Sequence, residues 1–290
     1  MTILHQLGSP LIRRALLEAV LVGALCGAVG VHVLLRRLPF FTLALSHAAF
    51  PGVVLASLLG VSVYLGGALA SLGLVAAVAA IGSTRRLEAS TATGVALAGA
   101  FAVGVLLQST QTGASRDLAA FLVGDVLTVN ASDLVTTVAF GLVVLVGLGL
   151  FHKDLVFTAF DPVGARAAGY RAATLDVLVL ALVALTVVTS IRAVGTILAV
   201  ALLVTPALTA RQWTDDVGRM MALAAVFGAA AGVGGIAASA QWGVAGGSAI
   251  ALSATTLLAL TVGARQTMRV VPRSRRGLIA WPGSGRAGES

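Results

Sequence analysis

Two stretches of this chain, residues 38–84 and 220–264, contain no Asp, Glu, Lys or Arg. A helix needs roughly 20 apolar residues to cross the hydrocarbon core of a bilayer, so each stretch is long enough for two crossings. The remainder has the same character. Of 290 residues 58% are hydrophobic and only 10% charged, against about one-quarter charged in a soluble domain. That is too little polar surface for a water-soluble fold of this length. Backbone groups in lipid must be satisfied within their own segment, so separate apolar runs imply an all-α polytopic membrane protein. Two classes fall away at once. Cys26 is the only cysteine, which excludes a disulfide framework. The only lysine, Lys153, follows His152 rather than the glycine that a phosphate-binding P-loop requires.

Hydrophobic runs lie near 15–35, 43–62, 64–82, 91–108, 133–151, 174–190, 193–210, 220–240 and 246–264, which predicts eight to nine spans. Residues 1–14 read as an interfacial segment without the form of a secretory signal. Residues 15–264 form the transmembrane domain, and residues 265–290 form a basic cytoplasmic tail expected to be disordered. The tail carries six arginines against Glu289, a net of +5 within an overall +8. With no aromatic residues interleaved at its arginines, it reads as a partner for anionic lipid rather than nucleic acid. Placing it inside puts 15 of the 19 Lys and Arg residues on the cytoplasmic side, with Arg13, Arg14, Arg116 and Arg192 outside, in keeping with the positive-inside bias.

Polar residues at membrane depth mark candidate sites. His47 stands in the charge-free segment Leu45-Ser46-His47-Ala48-Ala49-Phe50-Pro51-Gly52. Pro51 has no N–H, so the carbonyl of His47 loses its helical partner, and Pro51-Gly52 can bend the helix. Neutral imidazole is a common metal ligand. A second break falls at Thr205-Pro206 in Leu202-Leu203-Val204-Thr205-Pro206-Ala207. Proline-interrupted segments in both halves point to a transport path between them. Glu18 and Asp125 are weaker candidates for a cation. Glu18 is expected to snorkel and pair with Arg14, His32 to sit at the inner interface, and His5 and His152 to face solvent. Among the polar connections, Asp161 reads as an N-cap with Pro162 at the first helical position, small residues Ala165 and Ala168 following, and Gly169 as the stop. This loop, about 160–171, is either a connector or a docking helix for a soluble partner. Enzyme chemistry has little support: no H-E-x-x-H site occurs, and Leu122 stands where an intramembrane Gly-x-Gly-Asp site needs glycine.

Several of these segments, in this order, resemble the membrane permeases of bacterial ABC-type zinc and manganese importers. They are Leu35-Arg36-Arg37-Leu38, Leu45-Ser46-His47-Ala48 with Pro51-Gly52, Leu122-Val123-Gly124-Asp125, the Asp161-Pro162…Ala165-Arg166…Gly169 loop, Val194-Gly195, and Leu202 through Arg211. The resemblance spans about 10–265. It implies a homodimeric permease of the bacterial plasma membrane, bound to two cytoplasmic ATPase subunits and fed by an extracytoplasmic metal-binding protein. It implies no permanently bound cofactor: the metal, zinc or manganese, is cargo, and ATP belongs to the partner subunit. It also makes 161–169 the coupling helix. One departure stands out. The family usually reads Gly-Asp-x-Leu-Ser-His, whereas here Thr42 and Leu43 occupy the Gly-Asp places. A different class, a stand-alone secondary carrier or channel, would move solute without an ATPase.

Overall fold

In the computed structural model, the described residues are 10–82, 89–109, 124 and 126–270. They form eleven α-helices and one short 3-10 turn at Val126–Thr128, and no strand. In chain order these are α1 (Pro10–Leu35), α2 (Pro39–Leu58), α3 (Val63–Gly82), α4 (Ala89–Ser109), α5 (Ala131–Leu150), α6 (His152–Phe160), α7 (Pro162–Ala167), α8 (Ala172–Val194), α9 (Thr196–Arg211), α10 (Val217–Trp242) and α11 (Gly246–Val270). Each of the nine apolar runs overlaps one of them. Seven are long and apolar enough to cross a membrane, while the apolar portions of α4 and α9, Thr93–Ser109 and Leu198–Arg211, are shorter. At 1.5 Å per residue α9 extends only about 24 Å, short of a hydrocarbon core of ~30 Å. α1 begins at Pro10, so Arg13 and Arg14 lie on its first turns, exposed.

α1 is the hub. From Val22 to Val33 only Ala24 is less than fully buried. Its contact with α10 is made through backbone. A Cβ at Gly23 would run into the main chain of Gly228, one at Gly27 into Ala224, and one at Gly232 into Ala19. These pairs descend one helix as they climb the other, so the two are antiparallel. Small residues four apart let helix backbones approach closely and gain dispersion contact that lipid cannot match. α2 and α3 meet in the same way at Gly52 and Gly66. The shared core gathers Cys26, Leu45, Val187, Leu203 and Ile250, all inaccessible to solvent.

The order of the helices brings Arg36, Lys153, Arg166, Arg171, Arg211 and Arg219 to one end, which the positive-inside bias makes cytoplasmic. At the opposite end α8 turns into α9 through a single residue, Gly195, which lies against Gly124.

Candidate functional site: an open stripe on α2 and a capped helix at the basic end

α2 is mostly buried, at Phe41, Thr42, Ala44–Ser46, Ala48–Phe50, Val54 and Ala56. Of the ten positions that are not buried, six (Phe40, Leu43, His47, Pro51, Leu55 and Leu58) follow steps of three and four residues along one side of the helix, while Pro39, Gly52, Val53 and Ser57 lie off that stripe. His47 lies eight residues from Pro39, about 12 Å along the axis. Its Nδ1 is 3.0 Å from the Leu43 carbonyl. In the tautomer that donates this bond, Nε2 carries the free lone pair. A backbone-held Nδ1–H is the usual arrangement behind a metal-ligating imidazole. Phe101 of α4 packs edge-on against the ring, centroid to centroid 5.3 Å. Among the described residues no three His, Cys, Asp or Glu side chains gather into a metal cluster. Among the described residues this side of α2 carries one imidazole, and Leu43, one turn away, adds no ligand.

Neither proline interrupts its helix. α2 runs continuously through Pro51 and α9 through Pro206, so the expected breaks at Pro51-Gly52 and Thr205-Pro206 are corrected to unbroken helices. One missing N–H removes one hydrogen bond, and packing holds the rest of the turn. Gly104 of α4 approaches Pro51, where an added Cβ would lie 3.1 Å from its nitrogen. Gly52 serves the α2–α3 contact rather than a bend. In α9 the hydroxyl of Thr205 donates to the Ala201 carbonyl at 2.7 Å, and Thr209 donates to Thr205 at 2.8 Å. Pro206 itself is buried.

The weaker candidates move as well. Glu18 does not snorkel: it is inaccessible to solvent and accepts a hydrogen bond from Thr137 Oγ1 of α5 at 2.7 Å. Ala15, Ala19 and Val22, its neighbours on the packed side of α1, are buried, and the carboxylate is carried inward with them. Asp125 and His5 lie outside the described residues. His32, in the last turn of α1, is fully buried, and its ring stands edge-on to His152 at 6.5 Å. His152 is accordingly half-buried, not solvent-facing.

At the basic end, α7 is bounded by local chemistry. The Asp161 carboxylate accepts from the Gly164 N–H at 2.7 Å, and Pro162 occupies the first position. At the other end Tyr170 N–H reaches the Ala165 carbonyl at 2.9 Å and Gly169 N–H the Arg166 carbonyl at 3.1 Å. That paired closure needs a left-handed residue, and Gly169 supplies it at φ +85°. Val163, Arg166, Ala167 and Ala168 are exposed, as are Phe160 and Tyr170 on either side. Ala165 is the exception. Unlike Ala168, it is fully buried and holds α7 to its own bundle. A six-residue helix has only about two sides, so one residue must anchor it.

Sequence reasoning passed over Arg36. Its guanidinium pairs with Asp176 at the start of α8 and donates to the Leu155 carbonyl at 3.1 Å and Thr158 Oγ1 at 2.8 Å, both in α6. A charged side chain only 8% exposed has no local signal, because its partners lie more than a hundred residues away.

A bundle of apolar helices with one imidazole on an open intramembrane stripe defines a polytopic permease. The chain belongs to the ABC 3 transport family, which residues 9–264 match. It is 36% identical over 92% of its length to the manganese transport system membrane protein MntC of Halalkalibacterium halodurans, covering 91% of that protein. It is 33% identical to the zinc transport system membrane protein TroC of Treponema pallidum, over 79% of this chain and 80% of that one. The solved structure of PsaBC from Streptococcus pneumoniae in complex with Fab aligns with a TM-score of 0.82 at 32% identity, covering 89% of this chain and 93% of that chain. The protein is a transport component and a multi-pass protein of the bacterial plasma membrane.

Proposed function

We propose that this chain is the permease subunit of an ATP-driven importer of a divalent transition metal, manganese or zinc. Two copies enclose the path, with His47 of each facing it. The observation that carries this reading is the open stripe of α2. An intramembrane imidazole with its Nδ1 held by the Leu43 carbonyl is left half-buried on α2 beside Phe101 of α4, where a second copy would face it across a channel. The relatives' manganese and zinc transport names support the cargo class. Selectivity between the two metals rests on site geometry and metal availability as well as on ligand type.

His47 would act as a transit ligand, not a storage site. With Leu43 in place of a carboxylate, each protomer offers Nε2 and nothing charged. Two imidazoles from two copies give a weak site that releases its ion readily. The driving force comes from ATP hydrolysis in separate cytoplasmic subunits, docked on the exposed residues Phe160, Val163 and Arg166 around α7. An extracytoplasmic metal-binding protein delivers the ion at the opposite end.

The test is uptake of radioactive manganese or zinc by proteoliposomes holding the permease, its ATPase and the binding protein. ATP-dependent uptake by the parent and its loss in His47→Ala are expected, with the ATPase still co-purifying. Uptake by the permease alone, without ATPase, would make it a secondary carrier. Undiminished uptake by His47→Ala would move the path away from α2.

A further inference from the structure

We propose that Arg36 is the positioning residue that links the ATPase-docking segment to the metal-path helix. The inference rests on the reading of α7 as that docking segment. α7 is flanked by α6 and α8, and one guanidinium grips both: Leu155 and Thr158 on α6, Asp176 on α8. Any displacement of α7 must move one or both of these helices and so pull on Arg36.

What Arg36 is attached to matters equally. It sits in the three-residue turn between α1 and α2. The turn is closed by Leu38 N–H to the Val33 carbonyl at 2.9 Å and Arg37 N–H to Leu34 at 3.2 Å, and Thr42 N–H then bonds Leu38 at 3.0 Å. No slack remains between Arg36 and the first turn of α2, two to three turns before His47. Among the described residues Arg37 is the only non-glycine with positive φ, at +57°. A left-handed L-residue costs about 1 kcal/mol, which glycine at that place would avoid. The conformation fixes the direction in which Arg36 leaves the turn.

The junction is also not packed solid. A cavity of about 580 Å³ lined by Leu35, Arg37, Leu38, Ala159, Asp176 and Leu180 lies beside the guanidinium. A polar strut across an open recess can transmit motion, where a close-packed apolar contact would simply lock the helices together. Burial works against the Arg36 charge and the Asp176 carboxylate supports it. The same arginine as a mere staple would contribute stability and nothing else, so the decisive readout is one that stability does not move.

That readout is metal transported per ATP hydrolysed by the full complex in proteoliposomes, alongside ATPase co-purification and Tm. The variants are Arg36→Gln and Asp176→Asn, the second at a carboxylate 57% exposed. In Arg36→Gln the ATPase should stay bound and hydrolyse ATP, while metal moved per ATP falls by about tenfold, the scale of one charge-assisted bond. Asp176→Asn should lower the ratio several-fold, on the order of one exposed partner lost. An unchanged ratio in both variants overturns the proposal, even if Tm or total activity drops. If Arg36→Gln does not fold, Asp176→Asn and Thr158→Val decide on the same ratio. A parent complex that imports no metal would instead overturn the import reading on which this rests.

Discussion

The face of α1 that meets α10 and the open side of α2 are both built from apolar helix, yet they answer opposite demands. Along α1, Gly23 and Gly27 bring two backbones into contact, and the atoms nearest to both glycines are main chain. Along α2, residues of full size at Phe40, Leu43, His47, Pro51 and Leu55 stay exposed or half-buried on one side. Lipid and protein interior are equally apolar, so a membrane helix gains little by hiding hydrophobic surface and much by close packing. Close packing is spent where the bundle must hold. On the proposed reading, the less closely packed side that bears an imidazole is where it lets something pass.

The largest effect should come from filling the seam. In Gly27→Leu the new Cβ meets the Ala224 carbonyl backbone, which cannot rotate away as a side chain would. Overpacking costs about 1–3 kcal/mol even against mobile neighbours, so this variant should lose most folded protein in detergent, read as yield and Tm. A normal Tm would mean that α1 and α10 are not in backbone contact, and the contrast between seam and stripe would dissolve.

On the stripe the opposite pattern is expected. His47→Ala should abolish most metal uptake yet shift stability by no more than about 0.5 kcal/mol, as at a site outside the packed core. Leu43→Asp sharpens the point. Positions 43 and 47 share one side of α2, so a carboxylate there adds a charged ligand one turn from Nε2. Metal-dependent stabilisation of the purified complex should strengthen by about tenfold in affinity, ~1.4 kcal/mol, and turnover should slow as release becomes limiting. Equal cation-dependent melting in parent and Leu43→Asp would place the path elsewhere.

The sequence made the helices legible and their orientation much less so. Nine apolar runs became nine helices because charges and turn residues punctuate them at fixed places: Arg36-Arg37 after α1, His152 through Asp154 after α5, and Arg211 to Arg219 between α9 and α10. Local chemistry was equally readable in α7, where the cap at Asp161 and the stop at Gly169 act within a few residues. Which side of a helix faces protein was not. A helix apolar all round has no contrasting face to read, and so Glu18 is buried where a snorkelling carboxylate was expected. The spacing of Gly23 and Gly27 was a signal for the α1 seam, available in sequence but not drawn upon. Arg36 gave none, since Leu155, Thr158 and Asp176 are brought to it only by the fold.

At the basic end the same contrast between anchoring and open residues recurs on a smaller scale within α7. Val163 is 72% exposed while Ala165, two positions on, is inaccessible. Val163→Asp should weaken co-purification of the ATPase without moving the permease Tm, because a charge is placed on an outward apolar contact. Ala165→Leu should instead displace α7 from its own bundle and lower Tm as well.

The smallest effect belongs to the helix cap. Asp161→Ala removes the acceptor for the Gly164 N–H, a change worth about 1 kcal/mol. Pro162 still fixes the first backbone angle, and the closure at Gly169 still ends the helix, so α7 should fray at one end rather than unfold. Against the stability of a large helical bundle the loss should be invisible in Tm. Against docking it need not be, because that cap helps to hold the exposed residues of the first turn in place. Expected, then, is a severalfold weaker ATPase association, about the fivefold that 1 kcal/mol represents, with unchanged melting. Association as tight as the parent's would show that the partner grips the Arg166 end of α7 and leaves its capped end free.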